Sequence, residues 1–293
     1  KIIDISSFIS SIIRKCNNLA KYTNRYIRRY KMIGETLLKI RKNRNLTQKE
    51  IAKGILQQAT YSRIERGQLA IDADILKKLV ERLNLSMNEF FYIHQGYKAT
   101  KKQRLIQNFA RMELVLEDEI EYQLSEITQF LSLNADEDIT MLHFSYLALK
   151  EHVTGHNIDA VRAFATQVWA RMQKLDNWYI NDLELLNAII LYFPLDIAHE
   201  ITQTAIRRLD AYDHYERQMT YLKIYFRLNL TSLYIEDGAF EECLKELETI
   251  HKKYQNKLTY QTLGFIICRK IICKHHLKVN YTNEKQHLDM LQQ

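Results

Sequence analysis

The stretch best equipped for chemistry in this sequence is Gln58-Ala-Thr-Tyr-Ser-Arg-Ile-Glu-Arg66. Read as a helix, it points Tyr61 and Ile64 inward, three residues apart. Gln58, Ser62 and Arg66 then form one outward row four apart, and Ala59 and Arg63 another. An amide, a small apolar group and two guanidiniums on one face suit the DNA major groove. Gln58 can pair bidentately with adenine, Arg63 with guanine, and Ala59 can touch a thymine methyl. Lys53 and Arg66 are placed as phosphate contacts, and Gln57, on the turn before the helix, joins the set. The same residues would make an ordinary solvated face on any surface helix, so the neighbouring elements must decide.

Those elements can be read from helix start and stop signals. A first helix spans Gly34 to Asn43, with Leu37, Leu38 and Arg41 on one face. Thr47 and Glu50, three residues apart, form a capping box for a second helix, Gln48 to Gly54. A turn through Ile55-Leu56-Gln57 leads to the third helix, Gln58 to Arg66, which Gly67 ends. Asp72 opens a fourth helix and Ser86 caps a fifth ending in Phe90-Phe91. Five short helices with a tight turn between the second and third describe a helix-turn-helix domain.

Leu46-Thr-Gln-Lys-Glu-Ile-Ala52, Tyr61-Ser-Arg-Ile-Glu-Arg-Gly67 and Leu83-Asn-Leu-Ser-Met-Asn-Glu-Phe90 follow one another in this order. Together they resemble the Xre/Cro-type helix-turn-helix over residues 33–92. The resemblance implies that Gln48, at the start of the second helix, meets a phosphate. It also implies a structural, partly buried salt bridge between Arg41 and Glu65.

Charge supports a polyanion partner at this end of the chain. Residues 1–31 carry eight basic and one acidic side chain, residues 32–97 eleven and seven, and residues 98–293 twenty-three and twenty-seven. A basic first third is therefore joined to an acidic body. The segment Arg25-Tyr-Ile-Arg-Arg-Tyr-Lys31 could meet a phosphate backbone; alternatively, Met32 is the start and residues 1–31 are a leader. No function is placed there.

The composition favours helices throughout, because one proline and seven glycines in 293 residues cannot supply the corners of a strand-and-turn fold. After Gly96, apolar residues recur at three- and four-residue intervals. Candidate helices are 104–117, 119–132, 138–153, 157–175, 180–193, 195–211, 214–236, 239–254 and 257–278. Breaks at Gly155, Pro194-Leu195-Asp196 and Asp237-Gly238 suggest paired helices in repeat. Asn187-Ala-Ile-Ile-Leu-Tyr192 superimposes on Asn229-Leu-Thr-Ser-Leu-Tyr234, and the turn after Tyr234 is similar to that of a tetratricopeptide repeat. An α-solenoid is the reading adopted, with an ordinary helical bundle as the alternative.

The inner groove of such a stack suits an extended peptide, whose backbone needs hydrogen-bond partners. Asparagine offers both a donor and an acceptor, so Asn187 and Asn229 are apt clamps, with Glu184, Tyr225 and Arg227 adding charge and stacking. The helix-turn-helix, Trp178-Tyr-Ile-Asn-Asp-Leu183 leading to Asn187, and the acidic helical remainder resemble the Rgg/GadR/MutR family of Gram-positive transcription regulators. That resemblance implies a short signalling peptide in the groove and a dimerising helical domain.

The expected architecture is all-α: a five-helix Xre/Cro-type domain at 32–97, then a regulatory and dimerisation domain of tetratricopeptide-like helix pairs at 98–293. The expected function is a cytoplasmic, homodimeric regulator bound to a two-fold related operator in double-stranded DNA, with RNA polymerase as a further candidate partner. Two rivals remain: a ligand-independent repressor of phage type, and a helical adaptor for a protein partner. Neither a nucleotide loop nor a zincin motif occurs, and no nucleophile–base pair stands out, so no enzyme is expected. Cys268, Cys273, His275 and His276 lack metal-ligand spacing, so no metal and no cofactor is expected either. The apolar run Ile2–Ile13 is too short and polar to cross a membrane.

Overall fold

The computed structural model describes residues 33–112, 116–155, 157–215 and 218–291. The basic segment 1–31 and Met32, with the expectations attached to them, lie outside the described residues. All regular structure among the described residues is helical, and the chain divides into two compact units between Thr100 and Lys101.

In the first unit, residues 33–43 form α1, followed by α2 (Gln48–Ala52), α3 (Gln58–Glu65), α4 (Ala73–Arg82) and α5 (Met87–His94). The capping box forms: the Glu50 N–H donates to Thr47 Oγ1 at 3.2 Å, and the Thr47 N–H to Glu50 Oε2 at 2.7 Å. Helix α2 ends two residues early, because Lys53 has already left helical geometry. Helix α5 runs beyond Phe91 to His94, whose Nδ1 lies 2.9 Å from Thr36 Oγ1 on α1. Leu37, Ile51, Tyr61, Leu79 and Phe90 fill one core, each from a different helix.

Gly34 fixes how closely α1 approaches α3. A Cβ at that position would lie 2.1 Å from the Ile64 carbonyl oxygen and 2.9 Å from that of Glu65. Both obstacles are backbone, so neither can swing aside.

The second unit contains α6 (Lys101–Ala110), α7 (Glu117–Leu131), α8 (Glu137–Thr154), α9 (Ile158–Met172), α10 (Ile180–Ile189), α11 (Leu195–Asp210), α12 (Gln218–Glu236), α13 (Phe240–Tyr254), α14 (Tyr260–His276) and α15 (Thr282–Leu291). A 3-10 turn, Ile190–Tyr192, ends α10 before Pro194 caps α11. The breaks at Gly155, Pro194 and Gly238 separate α8 from α9, α10 from α11 and α12 from α13, as the spacing predicts. Several boundaries differ from expectation: α6 ends at Ala110 rather than residue 117, α9 at Met172 rather than 175, and α12 begins at Gln218 rather than residue 214. Helix α6 begins at Lys101 rather than residue 104, since Lys102 is drawn into structure by Asp136 and Asp138 at 2.8 and 3.0 Å. Helix α15 has no counterpart in the sequence reading; Asn280 Oδ1 accepts from the Thr282 N–H at its start, and Lys274 pairs with Glu284 at 2.5 Å.

Successive first helices are tied by polar bonds at the repeat spacing. Asn229 Nδ2 on α12 donates to the Asn187 carbonyl on α10 at 3.0 Å, and to its Oδ1 at 3.2 Å. Arg269 on α14 donates in turn to the Leu228 carbonyl at 2.5 Å and to the hydroxyls of Thr231 and Ser232 at 2.6 and 2.7 Å on α12. A continuous apolar core, including Leu186, Ala198, Phe226 and Leu247, runs beneath these ties.

Gly34→Ala should destabilise the first unit by about 3 kcal/mol, as overpacking against rigid neighbours does. Urea unfolding of the full chain checks this; an unchanged transition would show that α1 can retreat from α3 at no cost.

Candidate functional site

Helix α3 buries Tyr61, Ile64 and Glu65, leaves Gln58, Ala59, Arg63 and Arg66 exposed, and leaves Ser62 half-buried. The inward and outward rows therefore fall where the four-residue spacing puts them. Gln57 caps the helix from an extended conformation and is exposed, and Lys53 is exposed on the turn before it. One continuous surface thus carries amide, hydroxyl, methyl and cationic groups. Arg66 is steadied by its own helix, with Nε donating to the Ser62 carbonyl at 3.2 Å.

A buried charge pair sets the direction of that face. Arg41 Nε on α1 donates to Glu65 Oε1 at 2.6 Å, and Nη2 to Oε2 at 3.1 Å, a two-pronged contact with Glu65 only 3% exposed. Arg41 Nη1 also reaches the Leu46 carbonyl at 2.6 Å, at the entrance to α2. Burial pushes the Glu65 carboxyl up, but the bonds from Arg41 and Gln48 outweigh it and hold the group below its usual value. Removing either partner would strand a buried charge, at a cost of about 3–5 kcal/mol.

Gln48 has a contact the sequence reading did not include: its Nε2 donates to Glu65 Oε2 at 2.7 Å, which uses one of its two amide hydrogens. The reason is the unfilled acceptor capacity of a buried carboxylate one short turn away. Arg82, on α4, is a positioning residue that the sequence reading missed. Its Nη1 donates to the Ile51 carbonyl at 3.2 Å and also to that of Lys53, satisfying the end of α2 just before α3. Nothing local in the sequence signals a contact that spans some thirty residues.

In the second unit, the five residues expected to hold a peptide do not share one face. Asn187 and Asn229 meet, but they bond to each other across α10 and α12. Glu184 lies one turn before Asn187, half-buried, and Tyr225 lies one turn before Asn229, exposed. Arg227 does not join them. Two residues from Asn229 on a helix is roughly 200° around the axis, and Arg227 Nη1 pairs with Glu246 on α13 at 2.5 Å. Burial alone pushes the Glu184 carboxyl up to about 7.

Cys268 is exposed and Cys273 buried, in keeping with a five-residue separation on a helix, and His276 stacks on Phe240 with ring centroids 4.4 Å apart. Among the described residues no group of His, Cys, Asp and Glu could hold a metal ion, and no helix is long and apolar enough to cross a membrane.

A carboxyl whose pKa is raised on folding stabilises the folded state fully below its unfolded value, and that contribution is lost as pH rises through about 7. Glu184→Gln should therefore make the second unit more stable than wild type above neutral pH, with the difference vanishing in mild acid. Thermal unfolding across pH checks this; a pH-independent difference would contradict it.

Residues 37–90 match the helix-turn-helix family model. Three solved structures share the fold of most of the chain. Bacillus thuringiensis PlcR, in complex with the peptide PapR7 and DNA, has 16% identity and a TM-score of 0.65, over 89% of this chain and 94% of its own. The Streptococcus dysgalactiae SHP pheromone receptor Rgg2 has 16% identity and a TM-score of 0.62, over 88% and 91%. ComR from S. thermophilus, in complex with DNA and its signalling peptide ComS, has 13% identity and a TM-score of 0.57, over 88% and 91%. The chain thus carries a helix-turn-helix domain followed by a helical domain, in the same fold as PlcR, Rgg2 and ComR.

Proposed function

We propose that this protein is a sequence-specific DNA-binding transcription regulator whose helical domain receives a short signalling peptide. The observation that carries the reading is the outward face of α3. Gln58, Ala59, Ser62 and Arg63 project from a helix whose opposite side is fully committed to the core. Those groups match the donor, acceptor and methyl pattern of major-groove base edges. Lys53, Gln57 and Arg66 flank them as phosphate contacts. The chain acts in the cytoplasm as a homodimer with no enzymatic step. Two copies of α3 are then one helical turn of DNA apart, on a two-fold related operator. RNA polymerase is the natural further partner of such a complex.

Two of the neighbours whose fold it shares, PlcR and ComR, were solved with both a peptide and DNA. On this reading the peptide lies along α10 and α12, beside Glu184, Asn187, Tyr225 and Asn229. Its backbone competes for the asparagine pair: opening the Asn187–Asn229 bond frees one amide on each helix for the ligand. Peptide binding would then bias the arrangement of the dimer and hence its match to the operator. A second reading, a dimeric repressor that needs no ligand, draws support from the same bond, because the two asparagines already satisfy one another.

Arg63→Ala should cost about 1–3 kcal/mol on the preferred duplex and relax the preference at one base pair. Lys53→Ala should weaken all duplexes alike and flatten the salt dependence. Anisotropy titrations of the full chain on selected and scrambled duplexes measure both effects. Equal losses on the two duplexes for Arg63→Ala would remove its role in base reading. Repeating the titration with a pool of short random peptides separates the two readings, since only the first expects a changed affinity.

A further inference from the structure

Helix α12 borders a polar recess on the side that carries Arg227. Its walls come from α11, α12 and α13 and border about 330 Å³ of space that is half open to solvent, in the lower range of sites that hold small ligands. Thr202, Gln203 and Arg207 of α11 face Arg227 of α12 and Glu246 of α13 across it, while Ile206 and Leu230 supply apolar wall.

Two polar atoms on these walls are unsatisfied. Thr202 Oγ1 is buried, in a residue only 2% exposed, and has no hydrogen-bond partner; the same is true of Arg227 Nε. A buried polar group without a partner is costly and calls for an explanation. The other polar groups are occupied. Arg227 Nη1 is held by Glu246, and His199 is fixed by Tyr234 Oη at 2.9 Å and by Gln203 at 2.6 Å. What remains is an N–H donor, a hydroxyl and the exposed guanidinium of Arg207, whose Nη2 donates to Thr204 Oγ1 at 3.1 Å on its own helix. With two guanidiniums against one carboxylate, the recess has an excess of one positive charge.

We propose that this recess binds a small organic monocarboxylate. Its carboxylate lies between Arg227 Nε and Arg207, accepts a bond from Thr202 Oγ1, and cancels the excess charge; its hydrocarbon part rests on Ile206 and Leu230. A planar guanidinium edge is the natural partner for a carboxylate, and the size of the recess suits a metabolite rather than an extended peptide. The site is separate from the peptide face, because Arg227 and Asn229 lie on opposite sides of α12. It gives the helical domain a second chemical input.

The test uses the full chain with benzoate, phenylacetate and hippurate at millimolar concentration, each beside its uncharged primary amide. Saturation-transfer NMR reports binding. At least one acid should bind and its amide should not, and Thr202→Val and Arg207→Gln should each weaken that acid by about tenfold or more. Both variants are chosen to fold, valine being isosteric with threonine and Arg207 being exposed. Should Thr202→Val nevertheless unfold, Arg207→Gln alone decides. The proposal is overturned if no acid binds, if acid and amide bind alike, or if Arg207→Gln binds the acid as wild type does.

Discussion

The residues proposed to face DNA are exposed and gain little from their own packing, so something buried must aim them. That constraint is met by the Glu65 carboxylate, gripped by Arg41 from α1 and Gln48 from α2. Three helices meet at one charged group. Because Glu65 sits on the inner side of α3, fixing it fixes the rotation of the helix about its axis, and with it the direction of Gln58, Ala59 and Arg63. Gly34 sets the remaining coordinate by letting α1 approach α3 to backbone contact. Arg82 steadies the turn that enters the helix. The recognition face is therefore a consequence of interior chemistry.

The helical domain follows a different economy. Its first helices are joined by polar ties at the repeat interval, Asn229 to Asn187 and Arg269 to the α12 backbone and hydroxyls, laid over an apolar core. The Asn229 amide nitrogen, donating to two acceptors of Asn187, adds a directional constraint to the apolar packing between α10 and α12. The same bonds that set the repeat register occupy groups that a peptide would need. On the proposed reading, register and ligand response are coupled, because any ligand that claims Asn187 or Asn229 must loosen a joint between two helices.

Much of this was legible in the sequence. The inward and outward rows of α3 follow from helical spacing, and the capping box at Thr47 and Glu50 is a local pattern that formed as read. The paired helices announced themselves through glycine and proline breaks. What escaped reading was non-local. The bond from Gln48 to Glu65, seventeen residues on and across the core, has no local signal. Arg227 was grouped with Asn229 by proximity in sequence, although two residues along a helix reverse the direction of a side chain. Helix α15 carries too few apolar residues for its period to stand out, and it is recognisable only from its cap on Asn280 and its ion pair to α14.

The central claim is that the outer face of α3 reads base edges, with Arg63 on a guanine. The most direct measurement replaces guanines singly by 7-deazaguanine in the selected duplex, removing the N7 acceptor, and titrates wild type and Arg63→Ala on each. The account predicts one guanine per half-site at which the substitution weakens wild type but costs the variant nothing further. Losses of equal size in both proteins at every guanine would contradict it.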